Sequence, residues 1–148
     1  MKLYFGADHN GFDHKRILLE KLAAAGYEVA DMGDVNRVPD DDFPQFAERV
    51  VRAMQTSTDP DARGILLCGS GQGMCMAANR FKGIRASLVW DVDEARAARN
   101  DDDSNVLCLP AHSLTSDEAE RIALTWLATP FAGAPRYVRR IQTLDNLQ

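Results

Sequence analysis

One unbroken apolar run, Gly64-Ile65-Leu66-Leu67-Cys68, passes directly into Gly69-Ser70-Gly71-Gln72-Gly73. A run without alternation leaves neither face for water, which suits a central strand covered by helices on both sides. The glycines that follow let the backbone turn sharply at the strand end. The pair therefore predicts a layered α/β fold with a loop of special conformation at its centre.

The rest of the chain fits that frame. Residues 2–6, 28–31, 85–89 and 106–109 read as further strands, with 64–68 the third of five. Helical periodicity occupies 12–25, 43–54, 74–79, 93–99, 116–127 and 135–144. Gly26 suits the end of the first helix, Pro44 the first turn of the second, and Ser116 with Glu118 and Glu120 the start of the fifth. Alternating strands and helices imply right-handed βαβ units and a five-stranded parallel sheet in three layers. At 148 residues, with no repeat or linker-like stretch, one domain spanning 1–148 is expected.

Composition narrows the function classes. Apolar and charged fractions of 45% and 26% exclude a disordered chain, and no run approaches the length of a membrane span. The first residues, Met1-Lys2-Leu3-Tyr4-Phe5-Gly6, are too short an apolar stretch for a signal peptide, so a cytoplasmic location is expected. A net charge of −5 argues against nucleic acid as a partner. Three cysteines without metal-like spacing suggest neither a disulfide framework nor a metal centre.

Open parallel sheets bind ligands outside the carboxyl ends of their strands. Polar and glycine-rich segments at 6–11, 69–73, 91 and 100–105 are expected to gather there. Successive glycines at 69, 71 and 73 can aim backbone N–H groups into one concavity, holding a phosphate or a developing oxyanion, or they can simply make a tight turn. Other phosphate and cysteine motifs fail on required residues. Gly73 is followed by Met74-Cys75 instead of Lys-Ser/Thr, the arginine of a cysteine phosphatase would fall at Met74, and a phosphoacceptor aspartate would fall at Cys68. Residues 6–11 do not spell the dinucleotide fingerprint either. Cys68 stands where cysteines serve as nucleophile or base, although buried packing is the common alternative and the better reading of Cys75 and Cys108. Asp8 and His9 are either ligands for a sugar and its phosphate or a self-satisfied loop pair. His14 is expected to face solvent. Arg136 and Arg140, at i and i+4, can clamp one phosphate or form a solvated basic turn.

Together these segments resemble the ribose-5-phosphate isomerase B family, which includes the galactose-6-phosphate isomerase subunits. The matching text is Phe5-Gly6-Ala7-Asp8-His9-x-Gly11-Phe12, the 64–73 segment, Ala77-Ala78-Asn79-Arg80, Gly83-Ile84-Arg85-Ala86 and Asn105-Val106-Leu107. The resemblance implies a Rossmann-like α/β/α sandwich forming a homodimer, or a dimer of dimers, with active sites shared between protomers. It implies a cofactor-independent aldose–ketose isomerase that moves a proton between C1 and C2 of a sugar phosphate through an enediolate. By the same resemblance Cys68 is the base and Ser70 assists the open-chain sugar. Gly69, Gly71 and Gly73 stabilise the enediolate, His9, Arg136 and Arg140 bind phosphate, and Asp8 binds a hydroxyl. Another branch of the family uses a glutamate at the position of Met74.

Departures from the family pattern fall before the last strand. Asp101-Asp102-Asp103-Ser104-Asn105 replaces His-Asn-Asp-x-Asn, so Asp101 stands for the histidine that opens a furanose ring. Asp102 and His112 are carried as substrate-binding positions, His112 standing where an arginine is common and Tyr137 where some members have histidine. An ionised aspartate cannot donate the ring-opening proton. A tetrose 4-phosphate cannot close that ring, which makes it a candidate substrate beside ribose 5-phosphate and other variants. Two rival readings are a non-catalytic phosphosugar-binding subunit or sensor on the same fold and a redox-sensing thiol protein.

Overall fold

The computed structural model describes residues 1–147. Five strands, β1 (Lys2–Ala7), β2 (Glu28–Asp31), β3 (Arg63–Cys68), β4 (Ala86–Leu88) and β5 (Val106–Pro110), form one parallel sheet in the order β2-β1-β3-β5-β4. They alternate with α1 (Phe12–Ala24), α2 (Phe43–Gln55), α3 (Gln72–Ala78), α4 (Val92–Asn100) and α5 (Ser116–Ala128), and α6 (Pro135–Asp145) ends the chain. The expected three-layer sandwich is therefore the observed one. None of these helices is long and apolar enough to cross a membrane.

The central strand is buried along its whole length, Gly64–Cys68 as the apolar run requires and Arg63 with its guanidinium over Trp126. Ile65 and Leu67 join Leu3, Phe5, Leu107 and Leu109 in the layer under α1 and α5. Leu66 and Cys68 face the other way, joining Phe46, Val50, Met74 and Cys108 in the layer under α2 and α3. Gly6 lets α2 approach the sheet closely, since a Cβ there would lie 2.9 Å from Val50 and 3.1 Å from the Phe46 carbonyl.

Three local expectations are revised. The first is His14, which is half-buried, its Nε2 lying 2.8 Å from the Leu114 carbonyl. The capping side chain of α5 is Thr115, in a reciprocal box with Glu118, one residue before the serine singled out above. The third revision matters for function. Residues 100–105 precede β5, so in a parallel sheet they lie at its amino edge, opposite the edge reached by Cys68. Gly64 at the start of β3 donates to the Asn105 carbonyl there, at 3.0 Å.

The amino-edge segment is rigidly held. Trp126, fully buried, donates to Ser104 Oγ at 2.8 Å, with the Arg63 and Arg99 guanidinium groups over its ring at 5.3 and 5.8 Å. Asp103 accepts from Arg99 at 2.8 Å and from Arg85 at 2.9 Å. Helix α6 has no buried residue. It meets the rest through an Arg85–Asp145 ion pair at 3.8 Å and a contact of Tyr137 with Asp101.

Candidate active site

Strand register places the first group of candidate residues. Ala7 pairs with Leu67 and Cys68 with Pro110, so the segments after β1, β3 and β5 emerge side by side. Asp8 donates its N–H to the Leu67 carbonyl, Ala111 to Cys68 and His112 to Gly69, at 3.3, 2.9 and 3.0 Å. Asp8, His9, Cys68, the 69–73 loop and His112 thus share the carboxyl edge.

Cys68 is a buried free thiol at the floor of this cluster. Beyond it, Gly71 has φ of +73°, a left-handed conformation that carries the chain into α3. Helix α3 begins at Gln72, two residues before the periodicity alone suggests, which puts Gly73 in its first turn. The Gln72 N–H lies 3.4 Å from Ser70 Oγ, and the N–H groups of Ser70, Gly71 and Gly73 have no acceptor among the described residues. The loop therefore offers free backbone donors next to a thiol, with the exposed Ser70 hydroxyl at its rim. Two rings enclose it: a Cβ on Gly69 would lie 2.7 Å from the His112 imidazole, and one on Gly73 2.9 Å from Phe43.

Asp8 acts first on its own loop, one carboxylate oxygen accepting from the N–H groups of Asn10 and Gly11 at 2.9 and 3.0 Å. The segment before α2 adds a residue that the sequence reading passed over. Asp41 Oδ1 lies 2.9 Å from the His9 N–H and 2.8 Å from His9 Nδ1, and Asn10 Nδ2 lies 3.0 Å from His9 Nε2. The Asp41 hydrogen bond is the main cause that raises the His9 pKa above its ordinary value, with the charge of Asp8 assisting. The only hint in the sequence was the acidic run Asp40-Asp41-Asp42 ahead of a helix start. Asp8, His9 and Asp41 bring three possible metal-ligand atoms within 4.8 Å of one another. Oδ1 of Asp8 and Oδ1 of Asp41 already accept N–H groups, and these hydrogen bonds account for the clustering.

The second group lies at the opposite edge. Asp101 is the C-terminal cap of α4, and its carboxyl is lowered by hydrogen bonds from Asn100 and Tyr137 and by the charges of Arg136 and Arg140. Asp102 shifts the other way, raised by partial burial and then by Asp101. Arg136 and Arg140 are exposed on α6, with Arg136 Nη2 donating to the Tyr137 hydroxyl at 2.8 Å. Asn105 and Pro110 are separated by five residues of β5, or about 16 Å at the usual rise of a parallel strand. Asp101, Asp102, Arg136 and Arg140 are therefore not brought onto the Cys68 loop of their own protomer.

Elsewhere, Cys108 is fully buried and its thiol is pushed up by burial. Cys75, half-buried, is lowered by its hydrogen bond with Cys108 and donates to the Ala86 carbonyl at 3.3 Å.

Comparison with known proteins gives a consistent result. The family model described as Ribose/Galactose Isomerase matches residues 3–144. Ribose-5-phosphate isomerase B of Mycolicibacterium paratuberculosis is 37% identical over 148 residues, covering 100% of this chain and 92% of that protein. Among solved structures, a ribose 5-phosphate isomerase from Thermotoga maritima superposes with a TM-score of 0.91 at 39% identity, over 97% of both chains. The Mycoplasma genitalium ribose-5-phosphate isomerase B with bound ribulose-5-phosphate also gives 0.91, at 36% identity over 97% of this chain and 93% of that one.

Proposed function

The chain belongs to the ribose/galactose isomerase family, and on that premise we propose that it moves a proton between C1 and C2 of a sugar phosphate with Cys68 as the base. The observation that carries this reading is the buried Cys68 thiol beside the free N–H groups of Ser70, Gly71 and Gly73. The Cys68 thiolate takes the proton from C2 of the open-chain aldose, and the electron pair moves through the new C1–C2 double bond onto O1. The backbone donors hold that oxyanion, in the manner of an oxyanion hole. The thiol returns the proton to C1 while the O2 proton passes to O1 through Ser70, completing the ketose. This enolisation calls on no cofactor or metal, and residues 1–148 act as one isomerase domain.

Phosphate is assigned to Arg136 and Arg140, with His9 as a further donor and Asp8 and His112 beside the hydroxyls. Two arginines one helical turn apart suit an anion, and neither is buried in its own protomer. A second copy of the chain supplies them: in a symmetric dimer, Asp101, Asp102, Arg136 and Arg140 of one subunit lie over the Cys68 loop of the other. The exposed Met76 and Phe43 near that loop, and Val138 and Leu144 on α6, are apolar surface available for such an interface.

The substrate assignment rests on Asp101. A carboxyl held below its usual range is a base and a hydrogen-bond acceptor at neutral pH and cannot open a furanose by donating a proton. A tetrose 4-phosphate needs no such step and is the assigned substrate, ahead of ribose 5-phosphate. The test is a panel of tetrose, pentose and hexose phosphates in deuterated water, read by NMR. Deuterium should enter at C1 or C2 fastest with a tetrose 4-phosphate. Equal or faster exchange with ribose 5-phosphate removes the tetrose assignment, and no exchange with any sugar removes the isomerase reading.

A further inference from the structure

The pair His9 and Asp41 joins two segments 32 residues apart, and its geometry is unusually complete. We propose that Asp41 is a positioning residue: it grips His9 by backbone and ring together, turns the Nε2 edge towards the substrate, and keeps that edge a donor for a sugar-phosphate oxygen. The proposal deepens the functional reading above and rests on His9 meeting the substrate.

Three observations carry it. A single oxygen of Asp41 accepts both His9 N–H at 2.9 Å and Nδ1–H at 2.8 Å, which fixes where the ring starts and how it is turned. The Asp41 side chain is 7% exposed, against 26% for His9, so the aspartate is the anchored partner and the histidine the presented one. The segment that delivers Asp41 is pinned on both sides. Lys15 Nζ donates to Asp31 at 2.8 Å and to the Asp34 carbonyl at 3.1 Å, and Phe43 is set against Gly73. Asp41 is therefore placed by the fold and His9 follows it.

The chemistry explains why a carboxylate stands there. In the neutral ring, Nδ1–H points to Asp41 and Nε2 accepts from Asn10. Such a ring offers a phosphate no donor. The protonated ring donates from both nitrogens once the Asn10 amide turns its NH2 away from Nε2, and the charged groups facing it (Asp8, Asp40 and Asp41) all favour that form. Because the pKa is raised, the cationic state extends to higher pH than for a free histidine. Any stability it lends the fold is complete below the unfolded pKa and lost as pH rises through the folded one. Substrate affinity should follow the same alkaline limb.

Asp41→Asn keeps the shape and an acceptor oxygen but removes the charge. In ligand-free protein, nitrogen-15 NMR should show the His9 midpoint falling in this variant, since the largest cause of its rise is the Asp41 hydrogen bond. In steady state the alkaline limb of kcat/KM should move to lower pH with it, so that KM rises severalfold on the alkaline side and converges with wild type on the acid side, where both rings are protonated. Asp41→Asn added to His9→Gln should cost little more than His9→Gln alone, whereas a structural role would add its full loss. An unchanged His9 midpoint, or fully additive losses, overturns the proposal. If the wild type turns over no sugar phosphate, the functional reading fails, while the NMR titration still decides whether Asp41 controls His9.

Discussion

Lys15, in the first turns of α1, is buried with its ammonium 2.8 Å from both carboxylate oxygens of Asp31 at the end of β2. The pair ties α1 to the edge of the sheet and holds the segment that leads to Asp41. It is asymmetric, because the Lys15 side chain is 2% exposed and that of Asp31 33%.

That asymmetry predicts unequal losses. Asp31→Ala leaves a desolvated ammonium with only the Asp34 carbonyl, and should cost about 3–5 kcal/mol. Lys15→Met fills the same channel with an apolar chain and leaves Asp31 hydrated and still accepting from Gly33 at 2.8 Å. Its cost should be about 1–2 kcal/mol. Urea unfolding monitored by circular dichroism compares them; equal losses would show that burial of the ammonium is not the dominant effect.

Gly71 and Gly83 separate backbone strain from crowding. Both have positive φ, +73° and +77°, but a Cβ on Gly71 would lie 2.4 Å from Leu88 Cδ1 and 3.1 Å from the Leu109 carbonyl carbon, while nothing lies within 4 Å at Gly83. Gly83→Ala should cost only the left-handed penalty, about 1–2 kcal/mol. Gly71→Ala should add about 1–3 kcal/mol for overpacking, together with loss of activity as the Cys68 loop is displaced. Thermal unfolding of the two variants gives the difference directly, and matching stabilities would contradict the crowded reading of Gly71.

The substrate range proposed above can be tested at Asp101. Its carboxyl is lowered by Asn100, Tyr137 and the two arginines, so it stays charged throughout neutral pH and its loss of charge belongs to acid pH. Asp101→Asn should therefore tighten competitive inhibition by inorganic phosphate roughly two- to fivefold, the usual worth of an exposed charge. Asp101→His should raise turnover of ribose 5-phosphate relative to a tetrose 4-phosphate. A ratio that does not rise separates Asp101 from substrate choice.

Much of this was legible in the residues, for identifiable reasons. The uniform apolarity of 64–68 announced a strand covered on both faces, and the helical periods placed all six helices within two residues at each end. The glycine spacing at 69, 71 and 73 announced the turn, and Gly71 takes the positive φ. What could not be read was long range. Asp41 meets His9 only because the 32–42 segment folds back over the sheet edge, a path with no periodicity to betray it. Lys15 meets Asp31 only when α1 is laid beside β2, a contact that helical periodicity does not show. Polarity alone groups 100–105 with the other polar segments, because it does not distinguish the two ends of a strand. Parallel register corrects this, since a segment before β5 and one after β3 lie at opposite edges.

On the proposed dimer that separation would divide each protomer into two half-sites, and this gives the sharpest prediction. Cys68→Ala removes the proposed base at one edge, and the double variant Arg136→Ala/Arg140→Ala removes the phosphate clamp at the other. Each homodimer should be nearly inactive. In a mixed dimer, one composite site receives both defects and the other receives neither, since its loop comes from the arginine variant and its clamp from the cysteine variant. Random exchange makes about half the dimers mixed, so recovered activity should approach one quarter of wild type. Mixing after mild dissociation, followed by isomerase assay, reads this out, with size-exclusion chromatography confirming the dimer. If activity does not recover while mixed dimers form, the two groups do not serve one site across the interface. The roughly 16 Å along β5 between the levels of Asn105 and Pro110 is why a single subunit is not expected to complete the site by itself.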